Sequence, residues 1–390
     1  MLRSFKGFYH LIVAIVANIW FGFPSRRLTV VGITGTDGKS TTTTITYEIL
    51  KNAGFKTSMI TSVHAVIAGK AYDTGFHVTT PTAWWVQKYL REAVNHRDTH
   101  FVLEVTSHAL SQYRVWGVKF AVGAITNVTH EHLDWHGTYE QYLRTKLLLL
   151  GASKIAVLNR DDADVYDQAM AKLRNKKVVT YGIRRDAMVT TKTHPFTTQL
   201  PGIFNQYNCF AALAISGALG VDKKKAAQTI KFFKGVPGRM EVIQRKPFGV
   251  IVDFAHTPNA ITQVLKTVRP MTQKRLFHVF GSAGLRDRTK RPMMGNASAE
   301  FADVIVLTEE DYRTEGVNSI IEEIASGIPP TKEIYKFPNR QVAISFSLHT
   351  ASPGDLVIIT GKGHEKSLCR GTAEYPWSDQ DCVKKILKQL

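Results

Sequence analysis

A two-domain α/β protein is what the sequence predicts, and three observations predict it. The chain has 390 residues, room for two or three domains at roughly 100–200 residues each. From Leu28 onward, short β-rich runs alternate with helix-length stretches, as in parallel sheets wound by βαβ units. A Val236-Pro237-Gly238 break punctuates that alternation. It divides the chain into a central domain, 28–237, and a C-terminal Rossmann-like domain, 238–390, behind an apolar segment, 1–27. A hydrophobic fraction of 44% with 21% charged residues excludes disordered and fibrous classes.

The N-terminal segment comes first. Tyr9 to Phe23 is almost wholly apolar, with Arg3 and Lys6 before it and Arg26 and Arg27 after it. The run is shorter than the ~20 apolar residues of a spanning helix and contains His10 and Asn18. Bulky Trp20, Phe21 and Phe23 stand where a signal peptide would carry small residues. Two readings remain: a helix packed on the globular body, or a peripheral anchor in which residues 8–23 lie on a membrane surface.

In the central domain the apolar run Leu28–Thr34 predicts a strand, followed by a glycine-bearing loop and a helix to Leu50. Further strands are expected at 100–105, 122–128, 154–159 and 177–182, with helices at 82–97 and 138–150. In the C-terminal domain four apolar strands alternate with helices at 258–269, 291–301, 317–325 and 378–388.

Charge narrows the partners. Fifty Lys and Arg against 32 Asp and Glu leave +18, which favours an anionic ligand: a nucleotide, a phosphorylated substrate, a nucleic acid or an anionic membrane. Aromatics interleaved with Lys/Arg clusters, the pattern of a nucleic-acid platform, are not found, so no nucleic-acid partner is expected. Cys209, Cys369 and Cys382 are scattered without a C-x-x-C pair, which argues against a disulfide framework or structural zinc and suits a reducing compartment.

The strongest single motif is Gly35-Thr36-Asp37-Gly38-Lys39-Ser40-Thr41, between strand and helix. Its glycines let backbone N–H groups turn toward phosphate oxygens, and the helix N-terminus adds positive potential. Lys39 would reach the β- and γ-phosphates, and the Ser40 hydroxyl would hold Mg²⁺. Ile33 stands where the strict pattern places its first glycine, so the loop is a variant. A second constellation joins Glu104, at a strand end, to His130-Glu131-His132-Leu133-Asp134 and to Lys146 on the following helix. Histidines at this spacing do not form a familiar zinc site, and oxygen ligands beside a phosphate loop suit Mg²⁺ better.

Taken in order, GTDGKST, EVTSHAL, NVTHEHLDWHGTYEQYLRTK, GIFNQYNCFAALA, GRME, VDFAHTPNA, GSAGLRDRTKRPMMG and ITGKGHE resemble the Mur ligases over residues 28–390. The closest likeness is to the muramyl-tripeptide synthetase branch, which adds the third peptide residue to a peptidoglycan precursor. The resemblance implies a cytoplasmic, ATP-dependent, ADP-forming amide ligase of cell-wall biogenesis, at the inner face of the membrane if residues 8–23 anchor it. Its partners would be a muramyl-peptide precursor and an amino acid. It assigns one Mg²⁺ to Ser40 and Glu104 and a second to His132 and Lys146, with Lys146 carbamylated, since an ammonium cannot ligate a cation. ATP would be held by Thr36, Asp37, Gly38, Lys39, Ser40 and Thr41, by Asn205 and Asn208 near the base, by Arg239 on phosphate, and by Asp253 and His256 on the ribose side. Thr79, Thr80, Thr106, Ser107, Gln112 and Arg114 would contact the donor. Asp311, Arg313, Gly361 and Glu365 would read the incoming diamino acid.

Departures accompany the matches. Only 27 residues precede the phosphate-loop strand, too few for the uridine-binding domain that the branch usually carries. Glu131 replaces an aspartate, and Glu310-Asp311-Tyr312-Arg313 stands where Asp-Asn-Pro-Arg is common. By the resemblance, Arg313 stands where the branch binds the distal carboxylate of meso-diaminopimelate, which favours that acceptor, whereas the negative Asp311 keeps L-lysine open. The alternatives are a folylpolyglutamate synthase-like glutamate ligase, also without a uridine domain, and a nucleotide-dependent nucleic-acid binder.

Overall fold

Runs such as Thr29–Thr34 and His100–Glu104 are apolar or β-branched almost throughout, as strands covered on both faces of a parallel sheet must be. The computed structural model describes residues 2–72, 80–129, 133–173 and 175–390, and for residues 2–6, 133 and 134 the backbone alone. The chain divides into two compact units, Met1–Lys234 and Gly235–Leu390.

In the first unit the strands are β1 (Thr29–Thr34), β2 (Thr57–Ile60), β3 (Ala65–Ile67), β4 (Lys70–Tyr72), β5 (His100–Glu104), β6 (Phe120–Ile125), β7 (Ser153–Asn159) and β8 (Lys177–Tyr181). The helices are α1 (Leu2–Trp20), α2 (Lys39–Asn52), α3 (Ala83–Asn95), α4 (Ser107–Ser111), α5 (Leu133–His136), α6 (Tyr139–Ala152), α7 (Ala163–Lys172), α8 (Ile203–Ala218) and α9 (Lys223–Phe232). The strands form one sheet in the order β4-β3-β2-β5-β1-β6-β7-β8, parallel from β2 to β8, with an antiparallel edge at β3 and β4. Because β1 leads into α2 while β5 and β6 flank it, the C-terminal ends of β2, β5, β1 and β6 lie side by side. Open α/β sheets bind ligands at such a crest. The N-terminal segment is not a separate body but a helix on this unit, α1, fixed by its buried Asn18: Nδ2 donates to the carbonyl of Trp116 at 2.8 Å.

The second unit contains β9 (Glu241–Gln244), β10 (Gly249–Val252), β11 (Leu276–Phe280), β12 (Val304–Thr308), β13 (Glu333–Phe337), β14 (Leu356–Ile359), β15 (Ser367–Arg370) and β16 (Ala373–Pro376). Its helices are α10 (Pro258–Val268), α11 (Lys290–Phe301), α12 (Val317–Ala325), α13 (Arg340–Thr350) and α14 (Asp379–Leu387). Five strands are parallel in the order β13-β12-β11-β14-β10, β9 closes the edge antiparallel, and β15 pairs with β16 in a separate hairpin. The predicted architecture is therefore the observed one, two units on mostly parallel sheets.

A buried ion pair ties α13 to α14. Arg340 has no exposed surface and grips Asp379 with two 2.7 Å bonds while donating to the carbonyl of Thr360 at 2.8 Å. Its arginine partner removed, Asp379 would be a buried charge without its cation, the 2.8 Å bond from Trp377 Nε1 remaining. Arg340→Ala should therefore lower the unfolding free energy of this unit by about 3–5 kcal/mol, read from urea titration.

Candidate active site

The loop between β1 and α2 is shaped by what surrounds it. Gly38 sits at φ 78° as the cap of α2, and a Cβ there would lie 2.1 Å from Asn208 Oδ1. Glycine is what that approach permits. No side chain caps α2, so its first N–H groups are presented at the loop. The chain of β6 buttresses the loop from below. Asn127 accepts from Thr36 N through its carbonyl and from Asp37 N through Oδ1, both at 2.9 Å. Thr126 Oγ1 donates to the Asp37 carbonyl at 2.6 Å. Thr36 Oγ1 meets the Tyr142 hydroxyl at 3.2 Å, and Lys39 Nζ folds back on the Thr36 carbonyl at 2.8 Å. Thr41 is buried along α2, where Thr42 Oγ1 donates to Asn208 Oδ1 at 3.4 Å. Asn208 Nδ2 in turn donates to Asn205 Oδ1 at 3.1 Å, which brings the two asparagines of α8 against the loop.

Ser40 and Glu104 are joined through Ser62, a residue sequence reasoning missed. Ser62 Oγ is 2.8 Å from Ser40 Oγ, and its N–H donates to Glu104 Oε2 at 2.8 Å. Hydroxyl and carboxylate oxygens at adjacent strand ends are the donor chemistry of Mg²⁺. Among the described residues no group of three or more His, Cys, Asp or Glu gathers around a cation position. Lys146 is only 1% exposed, so it is no solvated surface lysine. Its Nζ donates to the Gly35 carbonyl at 2.6 Å and lies 4.4 Å from the centre of the Tyr142 ring. His132, matched to the same metal, and Thr79, matched to the donor, lie outside the described residues.

The remaining donor-side residues form one cluster. Thr80 Oγ1 donates to the Glu104 carbonyl at 3.0 Å and accepts from Thr106 N at 3.1 Å. Thr106 caps α4, whose first residue is the buried Ser107. Arg114 donates to the Thr80 carbonyl at 2.6 Å and clamps Gln112 Oε1 with bonds of 2.6 and 2.9 Å. Burial lowers the Arg114 guanidinium below its ordinary range.

In the second unit, Asp253 follows β10 and accepts from Met240 N at 2.6 Å and Ala255 N at 2.7 Å. Burial pushes its carboxyl up, opposed by the nearby Arg239. Arg239 lies 4.2 Å over the Phe254 ring, and the His256 ring packs on the same phenylalanine at 4.7 Å. At the end of β12, buried Glu310 approaches Gly361, where a Cβ would come within 2.9 Å of its Oε2. Burial raises the Glu310 carboxyl despite Lys290 and His256 nearby.

Asp311 is not an open anion. It is buried and bonded to Lys362 Nζ at 2.7 Å and to Cys369 N at 3.0 Å, and the same Nζ meets Glu365 at 2.5 Å. Burial pulls the Lys362 ammonium down, but Glu365 and Asp311 more than offset this and hold it above the ordinary lysine range. Arg313, at φ 55°, donates through its side chain to the Gly284 carbonyl at 2.6 Å and through its N–H to the carbonyl of Cys369, whose own N–H bonds Asp311.

The family descriptions "Mur ligase middle domain" and "Mur ligase, glutamate ligase domain" match residues 33–216 and 238–363. The chain is 37% identical over 389 residues to the UDP-N-acetylmuramoyl-L-alanyl-D-glutamate–2,6-diaminopimelate ligase of Aquifex aeolicus, covering 95% of this chain and 80% of that one. A solved structure of a ligase of that name superposes with a TM-score of 0.64 at 29% identity, over 93% of this chain and 78% of the other. Mycobacterium tuberculosis folylpolyglutamate synthase superposes at 0.71 with 16% identity, over 89% and 91% of the two chains, a likeness of fold alone. The chain belongs to the Mur ligase family, ADP-forming acid–amino-acid ligases.

Proposed function

We propose that this enzyme joins meso-diaminopimelate to the D-glutamyl carboxylate of a muramyl dipeptide at the expense of ATP. A donor carboxylate oxygen attacks the γ-phosphorus, the bond to ADP breaks, and an acyl phosphate forms. The acceptor amine then attacks the acyl carbon, the C–O bond to phosphate breaks, and the amine loses a proton as the amide forms. Two anions must be brought together in the first step, so positioned cations and donors carry most of the catalysis. Mg²⁺, held by Ser40 and Glu104, would neutralise charge on the β- and γ-phosphates.

The observation that carries this reading is buried Lys146 reaching the carbonyl of Gly35 in the same loop that presents the α2 N-terminus. A lysine so placed, once its ammonium has given up one proton, can add through its free amine to CO₂ and lose a second as the carbamate forms. The resulting carbamate would complete a second Mg²⁺ site with His132. Lys39 and the α2 amides would hold phosphate, with Thr36, Asp37, Gly38 and Thr41 shaping the loop around it. Asn205 and Asn208 would face the base, and Arg239, Asp253 and His256 the phosphate and ribose. Thr79, Thr80, Thr106, Ser107, Gln112 and Arg114 would hold the donor.

For the acceptor, the Lys362–Asp311 pair bears on the choice. Lys362 offsets the Asp311 charge that would otherwise repel a distal carboxylate, although it also meets Glu365. With the Arg313 guanidinium as the further cation, and Gly361 and Glu365 as contacts, diaminopimelate is favoured over lysine. ADP release should require the uridine-linked muramyl dipeptide and meso-diaminopimelate together, with L-lysine at least tenfold poorer. Turnover driven by glutamate with a folate, and not by the muramyl donor, would instead support the glutamate-ligase reading.

A further inference from the structure

Helix α1 breaks the rule that a helix on a globular surface shows a polar sector to water. From Gly7 to Ser25 the chain contains no Asp, Glu, Lys or Arg. Ala14, Ala17 and Asn18 are buried on the body, while Phe8, Tyr9, Ile12, Val16, Ile19 and Trp20 are exposed. At about 100° per residue those six side chains fall within one sector of roughly 120°, opposite the buried three. Phe8, Tyr9 and Ile19 are each 63% exposed and Trp20 72%.

The face is built rather than frayed. Asn18 bonds the Trp116 carbonyl, and Arg91 on α3 donates through Nε to the Phe21 carbonyl at 2.7 Å and through a second nitrogen to Gly22 at 3.1 Å. Exposed Trp84 on α3 extends the stripe, its ring 6.0 Å from Trp20 and 5.0 Å from Phe21, and exposed Trp85 follows it. Tryptophan rings at one end of an apolar stripe suit the headgroup level of a bilayer.

Charge decides the occupant. Residues 1–36 hold four Arg and Lys and no acid. Exposed Arg26 and Arg27 stand just past the stripe, Arg26 lying 4.3 Å from the Phe23 ring centre. Near Trp85, Glu92 is matched by Lys88 at 3.9 Å, and Lys88 lies 4.5 Å from the Trp85 ring centre. Among the described residues no helix is long and apolar enough to cross a membrane. We propose that the outer face of α1, with Trp84 and Trp85, docks flat on an anionic lipid surface, the apolar stripe among the acyl chains and Arg26 and Arg27 at the headgroups.

Co-sedimentation of the full chain with vesicles of equal parts phosphatidylglycerol and phosphatidylcholine tests this. The protein should pellet with them, and about fivefold less for each of Arg26→Gln and Arg27→Gln. Ile12→Ser and Ile19→Ser, both at exposed positions, should each weaken binding by about tenfold while thermal unfolding stays unchanged. Should either serine variant unfold, quenching of tryptophan emission by brominated acyl chains in the unaltered chain takes its place. A protein that stays in the supernatant, or emission that is not quenched, overturns the proposal. So does sedimentation velocity showing a dimer that Ile12→Ser dissociates, which would assign the face to a second copy.

Discussion

Lys146→Ala should lower kcat for ADP release by about 10²–10³, the loss typical of deleting one group that stabilises developing charge. Lys146 is buried, so a structural role has to be separated from a chemical one. The alanine removes a 2.6 Å bond to the Gly35 carbonyl and leaves space beneath the loop beside Tyr142. If Lys146 acts as a carbamate, a small carboxylate can enter that space and supply the missing anion. Acetate at high concentration should then restore part of the activity, while the melting temperature of the variant stays low. A variant that acetate does not rescue, and whose activity loss follows its unfolding, would mark Lys146 as a strut.

Lys39→Ala should cost a similar factor of about 10²–10³, but in kcat/KM for ATP and with little change in melting temperature. Lys39 is half-buried at the first turn of α2, and its ammonium folds on the Thr36 carbonyl, a position from which it can swing to phosphate. The loop itself is held by Asn127 and Thr126, which the substitution leaves in place. Isothermal titration with ADP and a melting curve on the same preparation check both halves. Unchanged ATP turnover would remove the phosphate loop from the mechanism.

Much of this frame could be read in the chain because strong local signals coincide with the sheet centre. β1, the glycine loop and α2 form one contiguous stretch, and β5, β6, β10, β11, β12 and β14 are long enough apolar runs to announce buried strands. What escaped were contacts made across the fold. Ser62 follows a four-residue strand with no motif about it, yet it bridges Ser40 and Glu104, 22 and 42 positions away. Asp311 reads as an open acid because its lysine partner is 51 residues on. Arg340 opens a helix that the sequence pattern does not mark, its apolar stripe being weak, and Asp379, 39 residues later, accounts for its burial. β13 alternates Glu, Ile, Tyr, Lys and Phe at a partly exposed sheet edge, a weaker pattern than the central strands carry. Of the two readings of the N-terminal segment, the structure shows the packed helix: one face of α1 lies on the body, and the bare outer face is the ground of the lipid proposal alone.

In the proposed reaction ATP activates the donor carboxylate as an acyl phosphate at the loop between β1 and α2. Labelling that carboxylate with ¹⁸O and following the released phosphate by mass spectrometry tests it most directly. One ¹⁸O atom is expected in each phosphate formed in step with amide, because the oxygen that attacks the γ-phosphorus leaves with it. Phosphate free of label, released at the same rate as amide, would contradict it.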